Sequence, residues 1–424
     1  MGTDLAAGAR VRDGPSVTSV ESMQGRVEAV SLEALVPMVR RALADDHLTV
    51  LDREVSQLQG AGNPTTRGLF RISGTARRTS GEVVPWQLVL KVVGDADLIE
   101  TGYCHEPTDW NYWKREALAF RSGLLDGWPG PLWPVRAYAV EDVTADEVWV
   151  WLQVCGDAQA KKNWSLDRLA SAAHDLGAFA AQWAAAPPNP DLHPWLAQRW
   201  VDGWVATARS LGADHAAGHD GCWTTGLLRG IVSTSTPGRV ADLMATADIL
   251  QDRLAALPLT LAHHDAQWSN AFSAEESGLR PGTVLIDWSY LGLAPVGTDL
   301  GISVGWNVFN GAVDPHRAVD HDRSTTEAYL RGLHEHGWAG SSDAVLFARA
   351  TSAALVTGTW LTALASWLCL ELISMIGEDM STWPQSDAQQ QHTDVTTVLA
   401  GWAATLDFVL DLGDEAVRLS NRLP

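Results

Sequence analysis

The order of its hydrophobic patterns is what most limits how this chain can fold. Strand-like runs come first, at Leu48–Leu58, Arg67–Ile72 and Trp86–Val93. A helical pattern over Pro107–Ser122 follows, with Trp113, Ala117 and Phe120 on one face, and then strands at Pro134–Val140 and Val148–Val154. A helix from the N-cap Ser31 to Ala44 precedes them all. From Leu166 the pattern is helical, broken by one hairpin, Asn270–Ser273 with Thr283–Trp288. Strands first and helices afterward predict an α+β protein of two lobes, a small β-rich one and a large, mainly helical one. The expected divisions are a loose tail over 1–30, an N-terminal lobe over 31–154 and a helical lobe over 155–424.

Composition narrows the partners. The 51 acidic residues against 30 basic ones give a net charge of −21, a field that repels nucleic acid and anionic membrane surfaces and attracts small cations. The same surplus also serves solubility alone. Cys104, Cys155, Cys222 and Cys369 are scattered without a C-x-x-C pair, which argues against structural zinc or a disulfide framework and suits the cytoplasm. No signal-peptide pattern opens the chain. Ala350–Leu370 is uncharged but interrupted by Thr351, Ser352, Thr357 and Thr362, so it reads as a buried core helix rather than a membrane span.

The chemistry concentrates in His263-His264-Asp265-Ala266-Gln267-Trp268-Ser269-Asn270 and in Val284-Leu285-Ile286-Asp287-Trp288. Asn270 opens the first hairpin strand and Asp287 ends the second, and in an antiparallel pair those positions lie opposite each other. Two oxygen ligands thus converge, which suits Mg²⁺ with phosphates and water completing its shell. Asp265, in the turn feeding the hairpin, is placed to receive a proton from an attacking hydroxyl. Competing readings are a turn Asp with a strand-capping Asn, and a hydrolytic metal on His263, His264 and Asp265. Neighbouring side chains on an extended segment diverge, which opposes the latter.

This H-x-D-x-x-x-x-N spacing with a downstream I-D-W resembles the aminoglycoside phosphotransferase family, which is similar to choline, homoserine and methylthioribose kinases and shares the protein-kinase fold. The run Gly292-Leu293-Ala294-Pro295-Val296-Gly297-Thr298-Asp299-Leu300 and the later Ala328-Tyr329-Leu330-Arg331-Gly332-Leu333 resemble it as well. The resemblance implies a small-molecule kinase with Asp265 as base, Asn270 and Asp287 on Mg²⁺, His263 bracing the loop and Asp299 supporting it from a helix start. ATP or GTP would be the donor. Where the family has His-Pro-Gly inside the loop, this chain has Gln267-Trp268-Ser269, which reshapes the acceptor side. The likeness spans Leu48 to Gly332 in scattered motifs.

The first half supplies further candidates. Lys91 interrupts the apolar strand Leu88–Val93, and a buried lysine needs a counter-charge, for which Glu116 is the candidate and Glu106 the reserve. Kinases use such a pair on the α- and β-phosphates; the alternative is a lysine snorkelling from an edge strand. The turn Gly60–Gly68, with Gly62 and Thr65, is placed to cover phosphates through backbone N–H groups. Gln153 and Cys155 fall where the resemblance puts the adenine-reading hinge. Trp288 in place of Phe-Gly after Asp287 sets protein kinases aside. The expected acceptor is a small hydroxylated molecule, cationic if Glu371, Glu378 and Asp379 line its site, or a choline-type ammonium if the 21 tryptophans furnish a cage. A nucleotide-binding pseudokinase is the alternative of another class.

Overall fold

The computed structural model describes residues 17–58, 63, 65–94, 104–126, 130–156, 164–224, 226–274, 281–369 and 395–423. In chain order the elements begin with α1 (Val17–Glu28), α2 (Leu32–Leu43), β1 (Thr49–Val50), β2 (Glu54–Gln57), β3 (Thr66–Arg77) and β4 (Val83–Gly94). Next come α3 (Arg115–Arg121), β5 (Leu132–Pro134), β6 (Ala137–Thr144), β7 (Glu147–Leu152), α4 (Leu166–Ala185) and β8 (Ala197–Gln198). They are followed by α5 (Trp200–Ser210), α6 (Ala213–Gly218), α7 (Gly221–Thr224), α8 (Thr236–Ala255), β9 (Leu259–Ala262), β10 (Ala271–Ser273), β11 (Thr283–Leu285) and β12 (Gly292–Pro295). The last are α9 (Thr298–Phe309), α10 (Ala318–Glu335), α11 (Ser342–Ala353), α12 (Thr359–Cys369) and α13 (Val395–Ser420).

The chain is α+β, as its pattern order predicts, and forms two compact units. The first holds the described residues within 17–58, 63, 65–94 and 136–154, and the second holds the remaining described residues. The first is an antiparallel sheet in the order β1-β3-β4-β7-β6, with β2 also paired to β3. Along β4, Trp86, Leu88, Leu90 and Val92 alternate onto one face, where they share a core with Leu35, Met38 and Val39 of α2 and with Met23 and Val27 of α1. Lys91 points to the other face. It pairs in register with Leu69 of β3 and Val150 of β7, so its strand is central and not an edge, and it is only 5% exposed.

Residues 17–28, expected as loose tail, are helical. Their polar sequence has weak periodicity, and tertiary contacts hold the helix instead. Val27 is fully buried, and Arg26 makes two hydrogen bonds (3.0 and 2.6 Å) to the buried carboxylate of Glu147, which also accepts from Trp149 Nε1. Over Leu48–Leu58 the expected single strand is two. Asp52 breaks it by turning its carboxylate onto the backbone N–H and hydroxyl of Thr75 (2.7 and 2.6 Å).

The second unit is mainly helical. The expected helix from Pro107 to Ser122 shortens to Arg115–Arg121, and it belongs to this unit rather than to the sheet. The strand expected over Pro134–Val140 divides similarly: β6 joins the large sheet, whereas β5 runs parallel to β11 in a small sheet, β10-β11-β5. A second small sheet has the order β8-β12-β9. Among the described residues, one helical stretch, Ser342–Cys369, is long and apolar enough to cross a membrane, and 83% of its apolar window is buried inside the fold. A π-helical turn, Ala354–Gly358, interrupts it, and there the Val356 carbonyl accepts from Trp204 Nε1 at 2.9 Å.

Helices α4 and α10 approach until backbone meets backbone. A Cβ on Gly177 would strike the Tyr329 carbonyl, and one on Gly332 would strike the His174 carbonyl. Neither obstacle is a flexible side chain, so the helices would have to separate. Gly332→Ala is expected to lower stability by about 1–3 kcal/mol in urea unfolding. An unchanged midpoint would show that the pair has slack.

Candidate active site

Strand β9 runs straight into His263, and β12 begins just after Leu291. Because Ala262 and Gly292 are paired in register, the two connecting segments, 263–270 and 286–291, spring from the same end of one small sheet. Between them stands the hairpin β10–β11, with Ala271 opposite Leu285. One residue further out, the Asn270 carbonyl accepts from Ile286 N–H at 2.9 Å, so Asn270 and Asp287 stand at the same end of the hairpin. The expected strands are shorter than the pattern suggests. Asn270 lies in a single 3₁₀ turn, and Asp287 follows the strand in a left-handed conformation (φ 61°) that a short polar side chain tolerates. Helix α4 holds the hairpin from behind: Arg168 donates to Thr283 Oγ1 (3.1 Å) and to the Phe272 carbonyl (3.2 Å), and the Thr283 hydroxyl donates to Asp175 (2.8 Å).

Segment 263–270 is held at both ends by α9. At the N-terminus of that helix, the two carboxylate oxygens of Asp299 accept from His263 N–H and His264 N–H, each at 2.7 Å. Near its C-terminus, Asn307 Oδ1 accepts from Trp268 N–H (2.8 Å), and Asn310, just past the last turn, donates to Gln267 Oε1 (2.6 Å). His264 has φ 60°, a strained conformation for a non-glycine residue. It is kept there by Asp299, by a bond from its Nδ1 to the Tyr290 carbonyl (2.9 Å) and by stacking on Trp200 at 5.2 Å. Burial drives the His264 imidazole down to about 3, so it is neutral.

His263 is fully buried and bridges the two segments. Its Nδ1 accepts from the Asp265 N–H (3.2 Å), so the proton sits on Nε2, which donates to the Ile286 carbonyl at 3.0 Å. That single tautomer ties the residue carrying the candidate base to the residue preceding the candidate metal ligand.

Asp265 is oriented through both carboxylate oxygens. Gln267 Nε2 donates to Oδ1 and Asn270 Nδ2 to Oδ2, both at 2.7 Å, and the same Asn270 nitrogen reaches the Asp265 carbonyl at 3.0 Å. Two oxygens can be met only by the NH₂ end of the Asn270 amide. Its Oδ1 therefore faces away and accepts no hydrogen bond among the described residues. With Asp287 at the same end of the hairpin, an amide oxygen and a carboxylate are the all-oxygen donor types that Mg²⁺ prefers, and the residue types fit that ion.

Helix α3 grips the segment carrying Asp287. Glu116, only 1% exposed, accepts from Trp288 N–H at 3.2 Å. The neighbouring Arg115 is fully buried and donates to the carbonyls of Trp195 and Trp110 (both 2.8 Å) and of Ser289 (3.3 Å). Burial lowers its guanidinium to about 9, still cationic at neutral pH. Burial also pushes the Tyr290 phenol well above its usual range, and the nearby carboxylates of Asp265 and Asp287 add to the shift.

The structure thus gathers His263, Asp265, Asn270, Asp287 and Glu116, and it adds Arg115, Gln267, Asn307 and Asn310, which the sequence did not single out. Only Gln267, as a departure inside the loop motif, carried any signal. Lys91, Thr65 and Gln153 belong to the sheet unit and Cys155 to the helical one. Thr65 is buried, its hydroxyl donating to Asn63 Oδ1 (2.8 Å), and Gln153 N–H donates to the Arg136 carbonyl (2.9 Å). Cys155 is buried and not in a disulfide. Gly62, Glu371, Glu378 and Asp379 lie outside the described residues.

No protein-family model matches the sequence, and no curated protein matches it. Solved structures to which the chain is similar include a spectinomycin phosphotransferase in complex with ADP and spectinomycin, at 14% identity and TM-score 0.44 over 89% of this chain and 99% of that one. Another is a microcompartment-associated aminopropanol kinase, at 13% identity and TM-score 0.42 over 91% and 99%. An ethanolamine kinase from Plasmodium vivax is similar at 12% identity and TM-score 0.41 over 84% and 81%.

Asp299 makes the site pH-sensitive in a defined direction. Burial raises its carboxyl from 3.8 to about 6, against the lowering effect of the two backbone bonds. Its proton thus favours the folded state. That stability is fully present below about 3.8 and is lost as pH rises through about 6, a change of about 3 kcal/mol. Asp299→Asn cannot titrate, so wild-type minus variant stability, from denaturant titrations at stepped pH, is expected to fall between about pH 4 and 6 and then level off. A difference that stays flat across that window would assign the titration elsewhere.

Proposed function

We propose that this chain is a small-molecule O-kinase of the aminoglycoside phosphotransferase type, moving the γ-phosphate of ATP or GTP onto a hydroxyl of its acceptor. One observation carries the reading. A carboxylate, Asp265, is clamped between Gln267 and Asn270, and the same Asn270 turns a free amide oxygen outward at the hairpin end where Asp287 stands. A base and two oxygen ligands on one rigid frame are what phosphoryl transfer requires.

In this reading Asp265 accepts the acceptor's hydroxyl proton as the oxygen–phosphorus bond forms and the bond to the β-phosphate breaks, releasing the nucleoside diphosphate. The Gln267 and Asn270 donors keep the carboxylate aimed without proton exchange of their own. Asn270 Oδ1 and the Asp287 carboxylate would hold Mg²⁺, which would supply charge neutralisation on the phosphates. Lys91, the cation on the central strand of the sheet unit, is assigned to the α- and β-phosphates. A half-buried aromatic group near the loop, Trp110, Trp204 and Tyr290 around the stacked Trp200, favours an acceptor with an apolar or cationic face.

The test is substrate-dependent ADP or GDP release over a panel of spectinomycin, streptomycin, choline, ethanolamine and neutral polyols. Asp265→Asn is expected to lower kcat on the best acceptor by about 10²–10⁴-fold while nucleotide affinity stays near wild type. If no acceptor stimulates release but nucleotide still binds, the chain is a pseudokinase and the reading fails.

The metal assignment is tested separately. Asn270→Ala and Asp287→Ala should each raise the Mg²⁺ concentration for half-maximal activity, and the charged ligand should matter more. Mg²⁺ titration by calorimetry in the presence of a non-hydrolysable nucleotide reads the same order. Unchanged Mg²⁺ dependence in both variants removes the hairpin from the metal site.

A further inference from the structure

Far apart in sequence, three metal-binding side chains meet in the helical unit. The ligand atoms of His215, on α6, Cys222, on α7, and Cys369, the last residue of α12, all lie within 4.8 Å of one another. A further imidazole neighbours one of them: the ring of the exposed His219 is 4.6 Å from that of His215, centroid to centroid. The two thiols are unbridged.

We propose that His215, Cys222 and Cys369 bind Zn²⁺, that the exposed His219 turns in as the fourth tetrahedral ligand, and that the ion clamps α6 and α7 to the end of α12. Two imidazoles and two thiolates form a borderline-soft set that selects zinc over the hard ion assigned to Asn270 and Asp287. Bonds of about 2.0–2.3 Å place tetrahedral donors about 3.3–3.8 Å apart, so the three ligands close up by about 1 Å. Cys222 is buried, whereas His215 and Cys369 are half-buried and have room to turn.

The frame around the cluster is already rigid. Gly212 (φ 112°) starts α6 so close to α12 that a Cβ there would come within 2.7 Å of Ser366 Oγ. Trp367 Nε1 on α12 donates to the Leu211 carbonyl (2.7 Å), and Trp223 Nε1 on α7 to the Ala216 carbonyl (2.8 Å). Cys222 N–H donates to the His219 carbonyl (3.0 Å), which sets these two ligands in one turn. His219 and Cys222 in one turn, Cys369 on the facing helix and His215 on α6 fill all four tetrahedral positions, so the site is closed and structural rather than catalytic with an open position.

The experiment uses the full chain, purified reduced and without chelator. Metal analysis after zinc loading and desalting should give about one ion per chain. Cobalt loading should give thiolate charge-transfer absorption and the strong visible bands of a tetrahedral ion. Cys222→Ser, Cys369→Ser and His215→Ala should lose both signals. His219→Ala should keep them with affinity weakened about 10–100-fold. On the wild-type protein, a chelator should make Cys222 and Cys369 newly reactive to alkylation, mapped by peptide mass spectrometry. Thiols that alkylate equally with and without chelator and no bound metal would overturn the proposal. So would a Cys222–Cys369 disulfide, or zinc and cobalt signals that survive in both serine variants.

Discussion

Everything in the candidate site hangs on the carboxylate of Asp299. It accepts two consecutive backbone N–H groups, His263 and His264, at the start of the segment that presents Asp265. Two adjacent amides aim at one carboxylate only if the chain turns sharply, and the left-handed His264 is that turn. A buried carboxylate is costly unless its oxygens are met, and each oxygen meets one donor here. The helix N-terminus beneath it adds favourable partial charge. Asn307 and Asn310 repeat the arrangement at the far end of α9, so one rigid helix spans the whole loop and fixes it at both ends.

The second constraint comes from α3. Arg115 and Glu116 are consecutive, both are buried, and both engage the segment carrying Asp287, one through carbonyls and the other through an amide. A buried guanidinium donating to several carbonyls regains much of its lost hydration, and burial lowers it to about 9 against the opposing charges of Tyr290, Asp109 and Tyr112. The resemblance assigns Glu116 to Lys91. Its observed bond is to Trp288 N–H, so it anchors the segment that carries Asp287.

The grouping of the candidate residues was legible because its determinants are local. Asp265, Asn270 and Asp287 are joined by a short turn and a hairpin, and the period of a strand dictates which ends meet. The N-cap of α2 was legible for the same reason: Ser31 Oγ accepts from Ala34 N–H at 3.1 Å, a contact within one turn. Helix α1 was not, since its side chains are polar in pattern and what orders them is Glu147, distant in sequence.

The sequence by itself therefore determined the α+β order, the loop and its hairpin, and the residue types that can hold a proton or a hard cation. Tertiary structure alone decided that Lys91 sits on a central strand, that 104–126 pack with the helices, and that Gln267 completes the clamp on Asp265. It also brought His215 and Cys222 to Cys369. The physical reason is common to all of these: their contacts join residues remote in sequence. Periodicity and spacing encode which face of an element is buried, but not which other element will cover it.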